Sequence, residues 1–108
     1  MAISDQDIAF AVDLFEPLGE ITTRKMMGGL CLYHDGTIFA MVHGDGQIYL
    51  KAQGDLIAEL ESAGCAQWTY SRNGGPERGM PYWTFPADAL DDPQTACGWA
   101  KKALKILR

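Results

Sequence analysis

The chain has 108 residues, 47% hydrophobic and 21% charged, which is typical of one ordinary globular domain over residues 1–108 and excludes a disordered segment. Its net charge of −5 opposes non-specific binding to nucleic acid or to anionic membranes, and no apolar run is long enough to cross a bilayer. The three cysteines have no C-x-x-C spacing and no basic, apolar leader begins the chain, so we expect reduced thiols in a cytoplasmic protein.

A helix followed by four strands is predicted for the first half of the chain. Ser4 and Asp7 form an N-cap signal, and apolar residues then recur at the spacing of one helix face until Pro17. The strands are predicted at residues 21–27, 30–33, 37–43 and 47–51. Asp35-Gly36, between the second and third of these strands, is a strong signal for a hairpin turn.

A helix, two strands and a final helix are predicted for the second half. Asp55 is a candidate cap for the first of these helices, and Gly64 is a natural residue to end it. The strands are predicted at residues 67–72 and 78–85. Because Pro81 has no N–H to donate, its strand is expected either at a sheet edge or with a bulge at that position. Asp92 followed by Pro93 marks the start of the last helix.

The resulting order, α-β-β-β-β-α-β-β-α, defines the predicted fold class. Short hairpins and the absence of strand–helix–strand alternation indicate an α+β fold with two layers. We expect a mostly antiparallel sheet of five or six strands and three helices. Trp83 and Trp99 lie on strongly patterned elements and are expected to be structural.

No set of residues in the sequence matches a known catalytic or metal-binding pattern. His34 and His43 lie beside predicted turns, and turn formation already explains the nearby aspartates. The cysteines and histidines lack the spacing of a known metal site, and the glycine-rich stretches lack the pattern of a phosphate loop. We therefore expect no catalytic residue, no metal and no cofactor, and we interpret the domain as non-enzymatic.

Three segments carry candidate binding or interaction residues. Arg24 and Lys25 precede Gly28-Gly29, where missing side chains would let an anion or a partner approach the backbone. The alternative for these two residues is a structural contact, either an ion pair with the first helix or a contact with a helix C-terminus. The aromatic strands are expected to line the core or a groove, or to anchor an interface. The candidates are Arg24, Lys25, Gly28, Gly29, Trp68, Tyr82 and Trp83.

Several motifs, in order along nearly the whole chain, carry a resemblance to a known family. They are Pro17-Leu18-Gly19, Thr23–Gly29 leading into Leu32-Tyr33, Phe39-Ala40, Tyr49-Leu50-Lys51, Trp68-Thr69-Tyr70, Met80–Trp83 with Pro86, and Trp99-Ala100. In these motifs the chain resembles the N-terminal domain of the TfoX/Sxy competence regulators of bacteria. The resemblance implies a compact α+β domain with an antiparallel sheet flanked by helices. Full-length members carry a second, C-terminal domain and regulate DNA-uptake genes, whereas this domain is expected to stand alone.

The sequence is compatible with three functions. The first is a regulatory or protein-interaction domain, linked to transcription, whose unknown partner could be a second copy of the chain. The second is a small-molecule or anion-binding module that uses Arg24, Lys51 and Arg72 near an aromatic groove; the third is an enzyme of unknown class. A flat apolar patch would favour a protein partner, and a deep pocket with converging polar groups would favour a ligand. Direct binding to nucleic acid is not expected.

Overall fold

The structure is a computed structural model that describes residues 3–26, 28–70, 74–76 and 78–107. Within these residues the helices are α1 (Asp5–Leu14), α2 (Asp55–Ser62) and α3 (Pro93–Leu107). The strands are β1 (Thr22–Met26), β2 (Gly29–His34), β3 (Thr37–Val42), β4 (Ile48–Lys51), β5 (Gln67–Tyr70) and β6 (Arg78–Thr84). This order confirms the predicted α+β fold. Two short 3-10 helices, Glu16–Leu18 and Ala87–Ala89, lie in the connections.

The six strands form one antiparallel sheet in the order β1-β2-β3-β4-β6-β5. The first four strands follow one another as hairpins, and the chain then returns so that β6 pairs with both β4 and β5. The expectation that the strand of Pro81 lies at an edge is therefore wrong; β1 and β5 are the edges. The alternative, a bulge, is confirmed: Gln67 pairs with Trp83 and Thr69 with Gly79, so three residues of β6 lie opposite the single residue between them.

The predicted caps of α1 and α3 are confirmed. The Ser4 hydroxyl accepts a hydrogen bond from the Asp7 N–H at 3.1 Å. Asp92 accepts from the Gln94 N–H at 3.1 Å and from the Thr95 hydroxyl at 2.7 Å, immediately before Pro93. The bonds from the Asp7 and Gln94 N–H groups satisfy backbone donors that have no partner within the helix.

The start of α2 differs from the prediction, whereas its end agrees with it. The N-cap is Gly54, at φ 64°, and Asp55 is the first helical residue without a side-chain cap bond. Glycine takes this backbone conformation at low cost. The Asp55 carboxylate makes no cap bond and only complements the helix dipole. At the other end Gly64 has φ 86° and the Cys65 N–H donates to the Leu60 carbonyl at 3.0 Å, which is a Schellman motif.

The turn between β2 and β3 has the predicted form. Asp35 has φ 50° and Gly36 has φ 79°, and the flanking residues His34 and Thr37 pair with each other. Positive φ at both turn residues matches the right-handed twist of the strands.

The hydrophobic core lies between one face of the sheet and the helices. Alternate strand residues contribute to it together with the buried residues of α1, α2 and α3. A bulge in β3 sends Phe39 into the core next to Ala40, and Phe39 contacts Phe15 with ring centroids 5.1 Å apart. Trp83 is only 4% exposed and belongs to this core, whereas Trp99 is half-buried and packs against it. The core-facing sheet residues are Leu30, Leu32, Phe39, Ala40, Val42, Ile48, Leu50 and Trp83.

Candidate functional site

The face of the sheet opposite the core carries a row of residues that crosses five strands. Arg24 pairs with Cys31, Cys31 with Met41, Met41 with Tyr49, and Tyr49 with Thr84. Strand side chains alternate between the two faces, so this row points away from the helices. Cys31 and Met41, 7% and 8% exposed, are buried yet lie outside the core cluster. We define the aromatic face as Arg24, Cys31, Met41, His43, Tyr49, Lys51, Trp68 and Tyr82.

Trp68 is the centre of the ring contacts on this face. Its ring centroid lies 5.9 Å from that of His43, 6.0 Å from that of Tyr49 and 6.4 Å from that of Tyr82. The geometries are tilted or edge-to-face, which aromatic pairs favour. Trp68, Tyr49 and Tyr82 are each half-buried, so the cluster is packed and still accessible.

Trp68 lies opposite the bulge in β6. The neighbouring Gln67 side-chain amide donates to the Met80 carbonyl, within the bulge, at 2.9 Å. A Cβ atom at Gly79 would lie 2.5–3.0 Å from this amide group, so a side chain there would displace the Gln67 amide from its present position.

Two cations flank the buried thiol of the aromatic face. Burial raises the pKa of Cys31, and the charges of Arg24 and Lys51 oppose that rise, so both cations lie close enough to act on the same sulfur atom. Burial likewise raises the pKa of Tyr82 to about 12, which keeps its hydroxyl neutral and able to donate. Among the described residues no carboxylate lies within 4 Å of Arg24 or Lys51. The structural ion pair considered for Arg24 is therefore not seen in that part of the chain, and Arg72 lies outside it.

Lys25 does not join Arg24. It pairs with Leu30, a core-facing residue, so it lies on the other face of β1, where it is exposed. Adjacent residues of one strand point to opposite faces, and the candidate pair of cations is therefore divided by the sheet.

The two candidate glycines are approached by the chain itself. The Gly28 carbonyl, in a residue with φ 79°, accepts from the Ile3 N–H at 3.0 Å. Gly29 is buried, and a Cβ atom there would overlap the carbonyl oxygen of Val42. The close backbone approach expected at this dipeptide is made by neighbouring segments of the same domain.

Trp83 lies apart from Trp68 and Tyr82. Its register partner is Leu50, on the core face, and its indole N–H donates to Glu61 Oε2 on α2 at 3.3 Å. The structure thus places Arg24, Trp68 and Tyr82 on one face of the sheet, with only the two aromatic rings in contact, and separates Lys25, Gly28, Gly29 and Trp83 from that face. Sequence reasoning missed Cys31, Met41, His43 and Tyr49 as members of the site; the alternation of Tyr49 with Ile48 and Leu50 was the available signal.

Two open cavities lie on the helix side of the molecule. One, of about 340 Å³, is lined by Leu18, His34, Lys101, Leu104 and Lys105, and His34 Nε2 donates to the Leu18 carbonyl at 3.1 Å. The other, of about 330 Å³, includes Phe10 and Leu90. In the described ranges no three His, Cys, Asp or Glu side chains are grouped to hold a metal ion. None of the helices described there is both long and apolar enough to traverse a bilayer.

Comparison with known proteins identifies the family. Residues 13–106 match the model of the TfoX N-terminal domain, and the chain belongs to this family, which confirms the resemblance. The DNA transformation protein TfoX1 of Aliivibrio fischeri (strain ATCC 700601 / ES114) is 32% identical over 53 residues. That match covers 49% of the chain and 25% of the relative, so the similarity concerns a minor part of the longer protein.

Proposed function

We propose that this domain is a non-enzymatic regulatory module that binds another protein through its aromatic face and acts in the control of transcription. The observation that carries the proposal is the half-buried cluster of Trp68, Tyr49 and Tyr82 on the sheet face opposite the helices. Aromatic residues and arginine are enriched in protein interfaces, where they supply most of the binding energy. Membership of the TfoX N-terminal domain family, and a relative named for DNA transformation, support the regulatory context.

The shape and charge of the molecule favour a protein partner. The aromatic face extends across neighbouring strands from β1 to β5, and a broad surface of this kind suits a macromolecule. A net charge of −5 disfavours duplex DNA as the direct partner. A second copy of the chain is one partner that this surface could accept, because two-fold self-association is common among small proteins.

Affinity purification with matched variants tests the proposal. The tagged chain is expressed in its native cell as wild type, as Trp68→Ala/Tyr82→Ala and as Phe10→Ala, and the recovered proteins are identified by mass spectrometry. Phe10 is a suitable control because it is also aromatic and 50% exposed but lies on α1, away from the aromatic face. We expect a partner that wild type and the control recover and the double variant loses, with the interaction reproduced by calorimetry on purified proteins.

Two results would refute this function. One is recovery of the same partners by a folded Trp68→Ala/Tyr82→Ala protein. The other is a failure to recover any partner together with a monomeric state in light scattering from micromolar to millimolar concentration. Circular dichroism of each variant establishes that the fold is intact.

A second candidate function is binding of a small anion. The position of Arg24 and Lys51 around Cys31, beside aromatic rings, favours it. Arg72, the third cation considered for this role, lies outside the described residues. Calorimetric titration with inorganic phosphate and with nucleotides distinguishes the two functions: saturable binding that Arg24→Gln abolishes would favour the ligand.

A further inference from the structure

We propose that the aromatic face binds an extended acidic segment of the partner protein. Carboxylates of that segment pair with Arg24 and Lys51, and its apolar side chains lie on Trp68 and Tyr82. The inference rests on the proposed function and adds the chemical class of the partner.

The positive charge of the aromatic face favours an acidic partner. The chain has 14 acidic and nine basic residues, yet Arg24 and Lys51 have no carboxylate within 4 Å among the described residues. Asp45, the acidic residue whose charge acts on Tyr49, is held in its turn, where it accepts from the Gln47 N–H at 2.9 Å and lies 3.4 Å from His43 Nδ1. The face therefore offers positive charge on an acidic protein, and an acidic partner complements it.

The width of the aromatic face favours an extended segment over a small ligand. Neighbouring strands lie ~4.8 Å apart, so the five steps from β1, which carries Arg24, to β5, which carries Trp68, cover roughly 24 Å. An extended chain advances ~3.3 Å per residue, so about seven residues reach across. A small anion bound at either cation would leave Trp68 uncovered. An extended segment that crosses the strands can contact both the cations and Trp68.

The arrangement of the rings favours polypeptide over single-stranded nucleic acid. Trp68 is contacted by three other rings at centroid distances of about 6 Å in tilted or edge-to-face geometry, so the rings pack on one another. Base stacking requires free aromatic faces within a strongly positive groove. Apolar side chains pack against ring edges and faces alike, and they need no such groove.

Titration of the purified protein with defined probes tests the inference. The probes are an eight-residue peptide of four glutamates followed by four leucines, so that one face of the extended chain carries both, the same peptide with lysine for glutamate, and an eight-nucleotide thymidine DNA. Amide shifts are followed by NMR at low salt for wild type, for Arg24→Glu/Lys51→Glu and for Lys101→Glu/Lys105→Glu. The last variant is the matched control, because it makes the same change in charge at exposed positions of α3.

We expect the glutamate peptide to shift amides of the aromatic face in the wild type and in the control. Its affinity should fall at least tenfold in Arg24→Glu/Lys51→Glu, and that variant should instead bind the lysine peptide. Higher salt should weaken each interaction, because the charged groups remain accessible to ions.

Three outcomes would overturn the inference. These are the absence of any shift at millimolar glutamate peptide, an equal loss of affinity in the control variant, and binding of the thymidine DNA to the aromatic face in preference to the peptide. A partner whose recovery depends on Trp68 and Tyr82 would still support the proposed function after either of the first two, so the two proposals fail separately.

Discussion

Gly29→Ala should destabilise the domain, because the added methyl group has no space. A Cβ atom there would overlap the carbonyl oxygen of Val42, and it would lie 3.4 Å from the carbonyl carbon and 3.5 Å from His43 Cα. All three atoms belong to the backbone of the neighbouring segment, so no side-chain rotation relieves the overlap. The strands β2 and β3 must separate beside the pair formed by the buried residues Leu30 and Val42.

The loss of unfolding free energy expected for Gly29→Ala follows from the overlap of its methyl group with rigid backbone. One excess methyl group in a well-packed interior costs ~1–3 kcal/mol, and a rigid backbone neighbour places Gly29→Ala near the upper end of that range. For a domain of this size a loss of ~3 kcal/mol lowers the Tm by about 10–20 °C. The same mutation at Gly98 is the matched control. Gly98 is exposed within α3, and a Cβ atom added there would meet no neighbouring atom within 4 Å, so alanine should stabilise the domain by ~0.5–1 kcal/mol.

Urea unfolding followed by tryptophan fluorescence and circular dichroism measures both effects. We expect the midpoint to move down for Gly29→Ala and up for Gly98→Ala, with the slope m unchanged in each. Harmless substitutions ordinarily scatter within ~0.5 kcal/mol of wild type, so a Gly29→Ala protein inside that range would refute the reasoning.

Three further predictions concern the core, a helix cap and nucleic acid. Trp83→Ala should cost ~3–5 kcal/mol in urea unfolding and Trp83→Phe less, since phenylalanine retains most of the buried area and loses the bond to Glu61; equal costs would contradict the assigned packing. The hydrogen bond from Thr95 lowers the pKa of Asp92 below its ordinary 3.8, so its contribution to stability is complete above pH 3.8 and disappears as the pH falls through the folded pKa. Unfolding of wild type and Asp92→Asn between pH 6 and pH 2 should therefore show converging stabilities, and a constant difference would argue against this cap. Fluorescence anisotropy should detect no binding to duplex DNA at physiological salt, whereas sub-micromolar binding with a steep salt dependence would contradict the charge argument.

Local signals in the sequence predicted the local structure well. Ser4, Asp92 and the Asp35-Gly36 turn each act within a few residues, and each has its predicted role in the structure. Asp55 was misplaced because Gly54 competes for the cap position, and the backbone conformation that decides between them is set by the connection from β4.

Long-range pairing could not be derived in the same way. Proline at position 81 is compatible with an edge strand or with a bulge, and only the pairing of β6 with both β4 and β5 decides between them. The composition of the aromatic face also depends on long-range strand pairing. Trp68 and Tyr82 could be singled out as aromatic residues, but their position on the same sheet face as Arg24 depends on the order and register of six strands. The division of Arg24 from Lys25 follows from strand alternation once the face of Leu30 is known.

The pairing of β4 with β6 has a consequence for when the aromatic face comes into existence. Arg24, Cys31, Met41 and Tyr49 come from the hairpins β1–β4, which form through contacts close in sequence, whereas Tyr82 arrives only after residues 52–77 have been looped out. Closing such a loop is slow compared with forming a hairpin. A nascent chain that has completed β4 therefore holds half of the aromatic face, and the face is complete only after the long-range pairing of β6. Partner binding would thus select chains that have completed the sheet.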